Sequence, residues 1–238
     1  MILTHVTITG ADGKINPYDL FELSDEFPLI EWGILIYPDK EGSPRYPTKG
    51  WIDHFMKWKP SFVRTAGHLC GSAVTNFFFE NTPQENQEKY SKFNRIQLNF
   101  RYDGKRPDWM TTRIYNFHFY GDIERSVIVQ QNESNNEFIK ILKDRLDPGW
   151  RPMVLFDSSG GNGKQMTCIQ KPLQGFRCGY AGGISPDNVD AVMSSLIACL
   201  PDKTEVWIDM ESGVRTNNEF DLKKVRSVME TVTDYGSG

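Results

Sequence analysis

Short apolar runs and longer amphipathic stretches alternate along nearly the whole chain. The apolar runs are rich in β-branched and aromatic residues, which indicates buried strands rather than helices. The pattern predicts eight strands, at residues 6–9, 32–37, 62–69, 95–100, 127–130, 153–156, 176–180 and 205–210. Strands that alternate with helices in this way are typical of parallel β/α units.

Helices between these strands are predicted where apolar residues recur at intervals of three and four. Asn16, Thr48 and Ser185 each stand before such a stretch. Their side-chain oxygens can accept hydrogen bonds from the free N–H groups of a first helical turn. We therefore expect helices to begin beside these three residues.

Two segments leave their secondary structure open. Residues 80–93 are polar, and their few apolar residues fit neither the helical repeat nor the alternation of a strand well. Within residues 101–125, the stretch 109–119 fits a helix, whereas 114–119 also alternates like a strand.

The count of eight strands bears directly on the fold. A (β/α)8 barrel typically needs ~250 residues, and this chain has 238. An open doubly wound sheet would show the same alternation, but eight β/α units favour a closed barrel. Because no linker interrupts the pattern, we expect an α/β protein with a single (β/α)8 TIM-barrel domain over residues 1–238.

Glycine-containing segments follow the sixth, seventh and eighth predicted strands, at residues 157–163, 179–184 and 209–214. Main-chain N–H groups in such turns can surround an anion, and barrels build phosphate sites after strands 7 and 8. The alternative is that the glycines only close tight turns. The sequence predicts phosphate binding by Gly160, Gly161, Gly163, Gly182, Gly183, Ser212 and Gly213.

Composition narrows the possible partners. A net charge of −4 and a pI of about 5.6 argue against a nucleic-acid-binding surface. The four cysteines and four histidines lack metal-ligand spacing, and no apolar run approaches ~18 residues. We expect a cytoplasmic protein with no metal, no redox cofactor and no membrane segment. Its oligomeric state is not indicated.

Five segments of the chain resemble the phosphoribosylanthranilate isomerase family. They are residues 6–10, 43–46, 155–163, 181–189 and 208–214, which match the family's first strand, the segment after its second strand, and its last three strands with their loops. The C-terminal three are specific in combination, whereas the middle third of the chain resembles the family poorly.

This resemblance implies a fold and an activity. Family members are (β/α)8 barrels that convert an aminoaldose phosphate to an aminoketose phosphate. They use a cysteine base after strand one, an aspartate acid after strand six and an arginine after strand two. The resemblance implies Asp157 as the general acid and Arg45 as a substrate-binding residue, while Thr9 occupies the cysteine position. A threonine hydroxyl is not a base without help.

Other polar residues at the predicted strand ends are candidates for the missing base and for ligand contacts. Cys70, next to His68 on one strand face, and Glu211 are the two candidate bases. A structural alternative is that His68 and Cys70 are inert and that Glu211 pairs with Arg215. The predicted ligand-binding residues are Thr9, Arg45, His68, Asn99, Gln130 and Asp209.

Three functions remain open at this point. The first is an isomerase that acts on a phosphorylated small molecule, with Asp157 as acid. The second is a non-catalytic barrel that binds or sequesters a phosphorylated metabolite or nucleotide, which the replacement at Thr9 favours. The third and weaker is an interaction module that uses the aromatic-rich residues 101–125.

Overall fold

Eight parallel strands close into a barrel in the computed structural model, which describes residues 1–119, 126–145, 150, 152–157 and 169–235. Each strand pairs with the next along the chain, and β8 pairs with β1. The strands are β1 Ile2–Thr9, β2 Ile30–Ile36, β3 Arg64–Cys70, β4 Arg95–Asn99, β5 Ser126–Gln131, β6 Met153–Asp157, β7 Arg177–Ala181 and β8 Glu205–Met210. The predicted (β/α)8 barrel is confirmed.

Helices connect the strands on the outside of the barrel. They are α1 Pro17–Glu26, α2 Lys49–Trp58, α3 Ser72–Thr75, α4 Pro83–Tyr90, α5 Pro107–His118, α6 Asn136–Lys143, α7 Val189–Cys199 and α8 Leu222–Thr233. A two-stranded hairpin, β9 Arg215–Thr216 with β10 Glu219–Phe220, lies between β8 and α8. None of the helices in the described ranges is long and apolar enough to cross a membrane.

Side-chain caps begin several of these helices as the sequence predicts. Asn16 accepts a hydrogen bond from the main chain of Tyr18, and Thr48 accepts one from Trp51. Helix α4, in a segment whose pattern is ambiguous, begins with a reciprocal capping box between Thr82 and Glu85. Each cap satisfies N–H groups that the first turn leaves unpaired.

The prediction for the start of α7 is wrong by about one turn. Ser185 does not cap this helix, because the segment 185–188 forms a turn and α7 begins only at Val189. Asn188 holds that turn, since its side chain accepts from the main chain of Ser185 and donates to the carbonyl of Gly183. The side-chain amide of Asn188 therefore competes with helix formation here.

Segment 101–125 is helical where the structure describes it. Helix α5 spans Pro107–His118, so the strand alternative for residues 114–119 is wrong. Ile114 and Phe117 are buried against the barrel, and a helix brings them onto one face because they lie three residues apart. Residues 120–125 lie outside the described part of the chain.

An ion pair occupies one side of the barrel interior. Arg95 of β4 donates twice to the carboxylate of Glu31 on β2, and Thr7 also donates to that carboxylate. The Arg95 guanidinium lies 4.7 Å from the ring centroid of Trp207. Trp207 belongs to an apolar cluster with Ile128, Met153 and Leu155, and Arg95 also donates to Met153 Sδ at 3.3 Å. The interior beneath the pocket is therefore a packed core in which an ion pair lies against an apolar cluster.

Candidate functional site

A pocket opens at the carboxyl ends of the eight strands, all of which contribute to its wall. This is the end at which (β/α)8 barrels carry their active sites. Including open solvent at its mouth, the pocket offers about 590 Å³ of empty space. Its polar wall residues are Thr9, His68, Gln97, Asn99, Gln130, Asp157, Asp209, Glu211 and Ser212.

Asp157 stands in the pocket wall as the last residue of β6. It follows four buried apolar residues and is itself only 5% exposed. Gln130 of β5 donates its Nε2 to Asp157 Oδ2 at 2.6 Å. The structure therefore brings together two predicted site residues, and the amide of Gln130 fixes the orientation of the carboxyl group.

Asp209 of β8 forms a second buried polar group with Thr9 and His68. Thr9 Oγ1 donates to Asp209 Oδ1 at 3.0 Å, and His68 Nε2 lies 3.9 Å from Asp209 Oδ2. Burial raises the pKa of Asp209 to about 8, although the Thr9 hydrogen bond acts to lower it. Burial also lowers the pKa of His68 to about 4. Both side chains are therefore mainly uncharged at neutral pH.

Cys70 lies beside this wall on β3. Its thiol donates to the carbonyl of His68 at 3.7 Å and accepts from Asn99 Nδ2 at 3.3 Å. Burial raises the pKa of Cys70 to about 11, so the thiol keeps its proton at neutral pH. Within the described ranges, Cys70 does not contribute to the pocket wall. The structure argues against Cys70 as a thiolate base assisted by His68.

Main-chain turns after β7 and β8 form a further part of the pocket wall. Gly182, Gly183, Ser212 and Gly213 all line it. A Cβ atom at Gly213 would overlap the carbonyl oxygen of Ile184 and lie 2.8 Å from its carbon, so the two turns touch through their main chains. Among the described residues, no protein acceptor takes the main-chain N–H groups of these four residues. Such turns can bind an anion.

Arg45, in the loop between β2 and α2, lies at the rim above these turns. Its Nη1 donates to Glu211 Oε1 at 2.6 Å, and its Nε and Nη2 donate to Asn218 Oδ1. Glu211 therefore pairs with Arg45, and the predicted pairing with Arg215 is wrong. Arg215 is buried elsewhere, where it donates to the carbonyl of Gly10 at 2.7 Å. The charge of Glu211 is thus balanced by a neighbouring guanidinium.

A model of the N-(5'-phosphoribosyl)anthranilate (PRA) isomerase family matches residues 122–231. That region includes β5 to β8 and most of α8, and therefore the turns described above. Over these residues the chain is similar to the phosphoribosylanthranilate isomerase family.

Solved structures support the fold of the barrel. Phosphoribosyl anthranilate isomerase from Thermotoga maritima is 18% identical, with 98% of this chain and 100% of that chain covered and a TM-score of 0.58. A structure of the isomerase in complex with reduced 1-(o-carboxyphenylamino)-1-deoxyribulose 5-phosphate has 18% identity, the same coverage and a TM-score of 0.57. The Pyrococcus furiosus isomerase is 14% identical, with 97% and 99% covered and a TM-score of 0.55. No curated protein sequence matches the chain.

Several of the predicted site residues meet in one pocket, and others do not. Gly160, Gly161 and Gly163 lie outside the described residues. Arg45 is at the rim and Cys70 is behind the wall. In the described ranges, no group of three or more His, Cys, Asp or Glu side chains could hold a metal ion. The predicted residues that line the pocket are Thr9, His68, Asn99, Gln130, Asp157, Gly182, Gly183, Asp209, Glu211, Ser212 and Gly213.

Gly33 of β2 is a site residue that the sequence pattern does not reveal. A Cβ atom there would overlap Thr9 Oγ1 and lie 3.1 Å from His68 Cε1. The missing side chain therefore leaves the space in which the Thr9 and His68 side chains lie. A glycine inside an apolar strand is the signal that could have identified it, since such a glycine often marks a close approach.

The titration of Asp209 gives a testable dependence of stability on pH. Asp209 keeps its proton to about pH 8 in the folded barrel but loses it near ~4 in the unfolded chain. Between these values the folded state binds more protons, so the free energy of unfolding falls as the pH rises. His68 has the opposite effect between about pH 4 and ~6.5, because its folded pKa is the lower one.

Above pH 6.5 His68 is uncharged in both the folded and the unfolded state, so of these two residues only Asp209 still changes the free energy of unfolding with pH. We expect the wild type to lose about 2 kcal/mol relative to Asp209→Asn between pH 6.5 and 8. Thermal unfolding of both proteins across this range measures the difference. If the two melting curves shift in parallel over the whole range, Asp209 is already ionised in the folded barrel.

Proposed function

We propose that this protein binds a phosphorylated aminoaldose in the barrel mouth and catalyses its isomerisation to the aminoketose. The observation that carries the proposal is Asp157, a buried carboxyl group that faces the same pocket as the main-chain turns of β7 and β8. A carboxyl group fixed in the same pocket as an anion site can act on the sugar ring of a ligand that is held by its phosphate.

The turns after β7 and β8 supply the anchor for the phosphate in this proposal. Gly182, Gly183, Ser212 and Gly213 line the pocket, and no acceptor among the described residues takes their main-chain N–H groups. Fixed N–H dipoles bind a dianion without a lysine or arginine in direct contact. Arg45, at the rim, is close enough to Ser212 Oγ, at 3.5 Å, to add positive charge beside the same anchor.

Asp157 acts as the general acid in this scheme. It donates its proton to the ring oxygen as the bond between that oxygen and C1 breaks, and the substrate nitrogen forms an iminium with C1. Loss of the C2 proton then gives an enolamine, which tautomerises to the ketone. The reaction is redox-neutral, because C2 is oxidised while C1 is reduced. Gln130 holds the Asp157 carboxyl through its Oδ2 during these steps.

Turnover of phosphoribosylanthranilate by the purified wild type tests this function. We expect conversion to the aminoketose phosphate. The reaction is monitored by mass spectrometry of the product and by the disappearance of the substrate. Native mass spectrometry of the untreated protein is the companion measurement. An inactive protein that retains an intact phosphorylated compound would support the non-catalytic binding function, which the threonine at position 9 favours, and would overturn the isomerase proposal.

The phosphate anchor predicts the effect of Gly213→Ala. The added Cβ meets the main chain of Ile184, which cannot rotate away, so the two turns must separate. We expect affinity for the aminoketose phosphate to fall at least about tenfold, or ~1.4 kcal/mol, in isothermal titration. Gly13→Ala is the matched control because nothing lies within 4 Å of a Cβ there. Equal affinities of the two variants would contradict the anchor.

A further inference from the structure

The pocket contains a second buried acid that the proposed reaction has not yet used. Asp209 lies at the same level of the barrel as Asp157, since both pair in register with Ala181 of β7. Two strand spacings put their Cα atoms about 10 Å apart. The small side chain of Ala181 between them leaves both carboxyl groups in the pocket wall. The two acids therefore flank the space available to a ligand.

The oxygens of Asp209 have unequal surroundings. Oδ1 accepts the hydroxyl proton of Thr9 at 3.0 Å. Oδ2 lies 3.9 Å from His68 Nε2, which is too long for a hydrogen bond. His68 Nε2 is itself buried and has no hydrogen-bond partner among the described residues, although His68 lines the pocket. Asp209 thus has one oxygen held in place and one oxygen available to accept a proton.

No cation neutralises Asp209 within the described ranges. The nearby guanidinium, Arg95, is committed to Glu31 one layer deeper in the barrel. Glu211, two residues further along the chain, is paired with Arg45. The charged groups that act on Asp209 are therefore Glu31 from β2, Arg95 from β4 and Glu211 beyond β8. Its other neighbours, Thr9 and His68, are uncharged at neutral pH.

We propose that Asp209 is the base that removes the C2 proton of the aminoaldose, with Thr9 as its positioning residue. The inference rests on the proposed isomerase function. The C2 proton passes to Asp209 Oδ2, and the C–H electron pair forms the C1–C2 double bond of the enolamine as the iminium nitrogen takes up its electrons. Asp209 then returns this proton to C1 as the enolamine becomes the ketone. The C2 hydroxyl group loses its proton in the same step, and that proton restores the Asp157 carboxyl group that was ionised in ring opening, so no other reactant is needed.

Thr9 contributes through orientation and not through basicity. Its hydroxyl donates to Asp209 and so favours the carboxylate form, which lowers the Asp209 pKa from the higher value that burial alone would give. Gly33 makes this contact possible because any side chain there would displace Thr9 Oγ1. A carboxyl group that titrates near pH 8 is a stronger base than an exposed aspartate and is still partly ionised near neutrality.

The pH profile of kcat tests the assignment. Since the carboxylate is the active form, kcat of the wild type is expected to rise with pH through an apparent pKa near 8. Asp209→Asn is expected to lower kcat at least about 100-fold and to remove this rise. Thr9→Val is expected to move the rise to higher pH, whereas Thr9→Ser, which keeps the hydroxyl, leaves it in place.

The experiment distinguishes failure of the base assignment from failure of the proposed function. An active wild type whose Asp209→Asn variant keeps its kcat and its pH profile overturns the base assignment and leaves the proposed function intact. A wild type without turnover overturns the function and the base together. Loss of folding is excluded by melting curves at pH 6, where Asp209 is protonated and resembles the asparagine of the variant.

Discussion

Replacement of Asp157 by asparagine is expected to lower kcat for phosphoribosylanthranilate by about 100- to 10,000-fold, the contribution of a well-placed general acid. Asparagine has the same shape and can still accept the hydrogen bond from Gln130 Nε2, but it has no proton of suitable acidity for the ring oxygen. KM is expected to change little, because ring opening draws on this proton only in the transition state.

Steady-state kinetics of the wild type and the variant measure this effect. Asp187→Asn is the matched control, because Asp187 is an exposed carboxylate after β7 and does not line the pocket. The kcat of this control variant is expected to stay within about twofold of the wild-type value. If Asp157→Asn raises KM and leaves kcat unchanged, Asp157 only binds the substrate and the acid must be another group.

The second large effect is on stability. Glu31→Gln is expected to destabilise the barrel by about 3–5 kcal/mol, because it leaves the buried guanidinium of Arg95 without its counter-charge. Burial alone would raise the pKa of Glu31, but the charge and hydrogen bonds of Arg95 outweigh it and hold that pKa below its ordinary value. The Glu31 carboxylate is therefore charged at neutral pH inside the barrel.

Urea unfolding, monitored by tryptophan fluorescence, measures the loss of stability. The variants Glu26→Gln and Glu31→Leu/Arg95→Met are the controls. Glu26 makes an exposed ion pair with Arg226, so its replacement is expected to have little effect. The double variant removes both charges, and most of the lost stability is expected to return. A Glu31→Gln protein as stable as Glu26→Gln would show that water or another group neutralises Arg95.

The barrel itself was accessible from the sequence because strand runs and helix caps are local signals. The pattern predicts a strand at 205–210, and β8 occupies Glu205–Met210. Helix α7 shows the limit of such signals, since Ser185 has the residue type of a cap. The side chain of Asn188 nonetheless holds the preceding turn, and a favourable residue type does not reveal that competition.

The site was predictable as a set of positions but not as a set of contacts. Thr9 and Asp209 both stand at strand ends, yet their hydrogen bond joins residues 200 positions apart. It exists because β8 closes the barrel against β1. Glu211 illustrates the same point, since Arg215 is its neighbour in sequence but Arg45 is its partner in space. Pairing across a closed barrel depends on register, which a local pattern does not encode.

The contact between Gly213 and Ile184 joins two turns through main-chain atoms, at a position where a side chain would not fit. Residues elsewhere around the mouth can therefore change over evolutionary time while this contact persists. If these turns bind phosphate as proposed, the barrel is a suitable starting point for directed evolution towards other phosphorylated compounds.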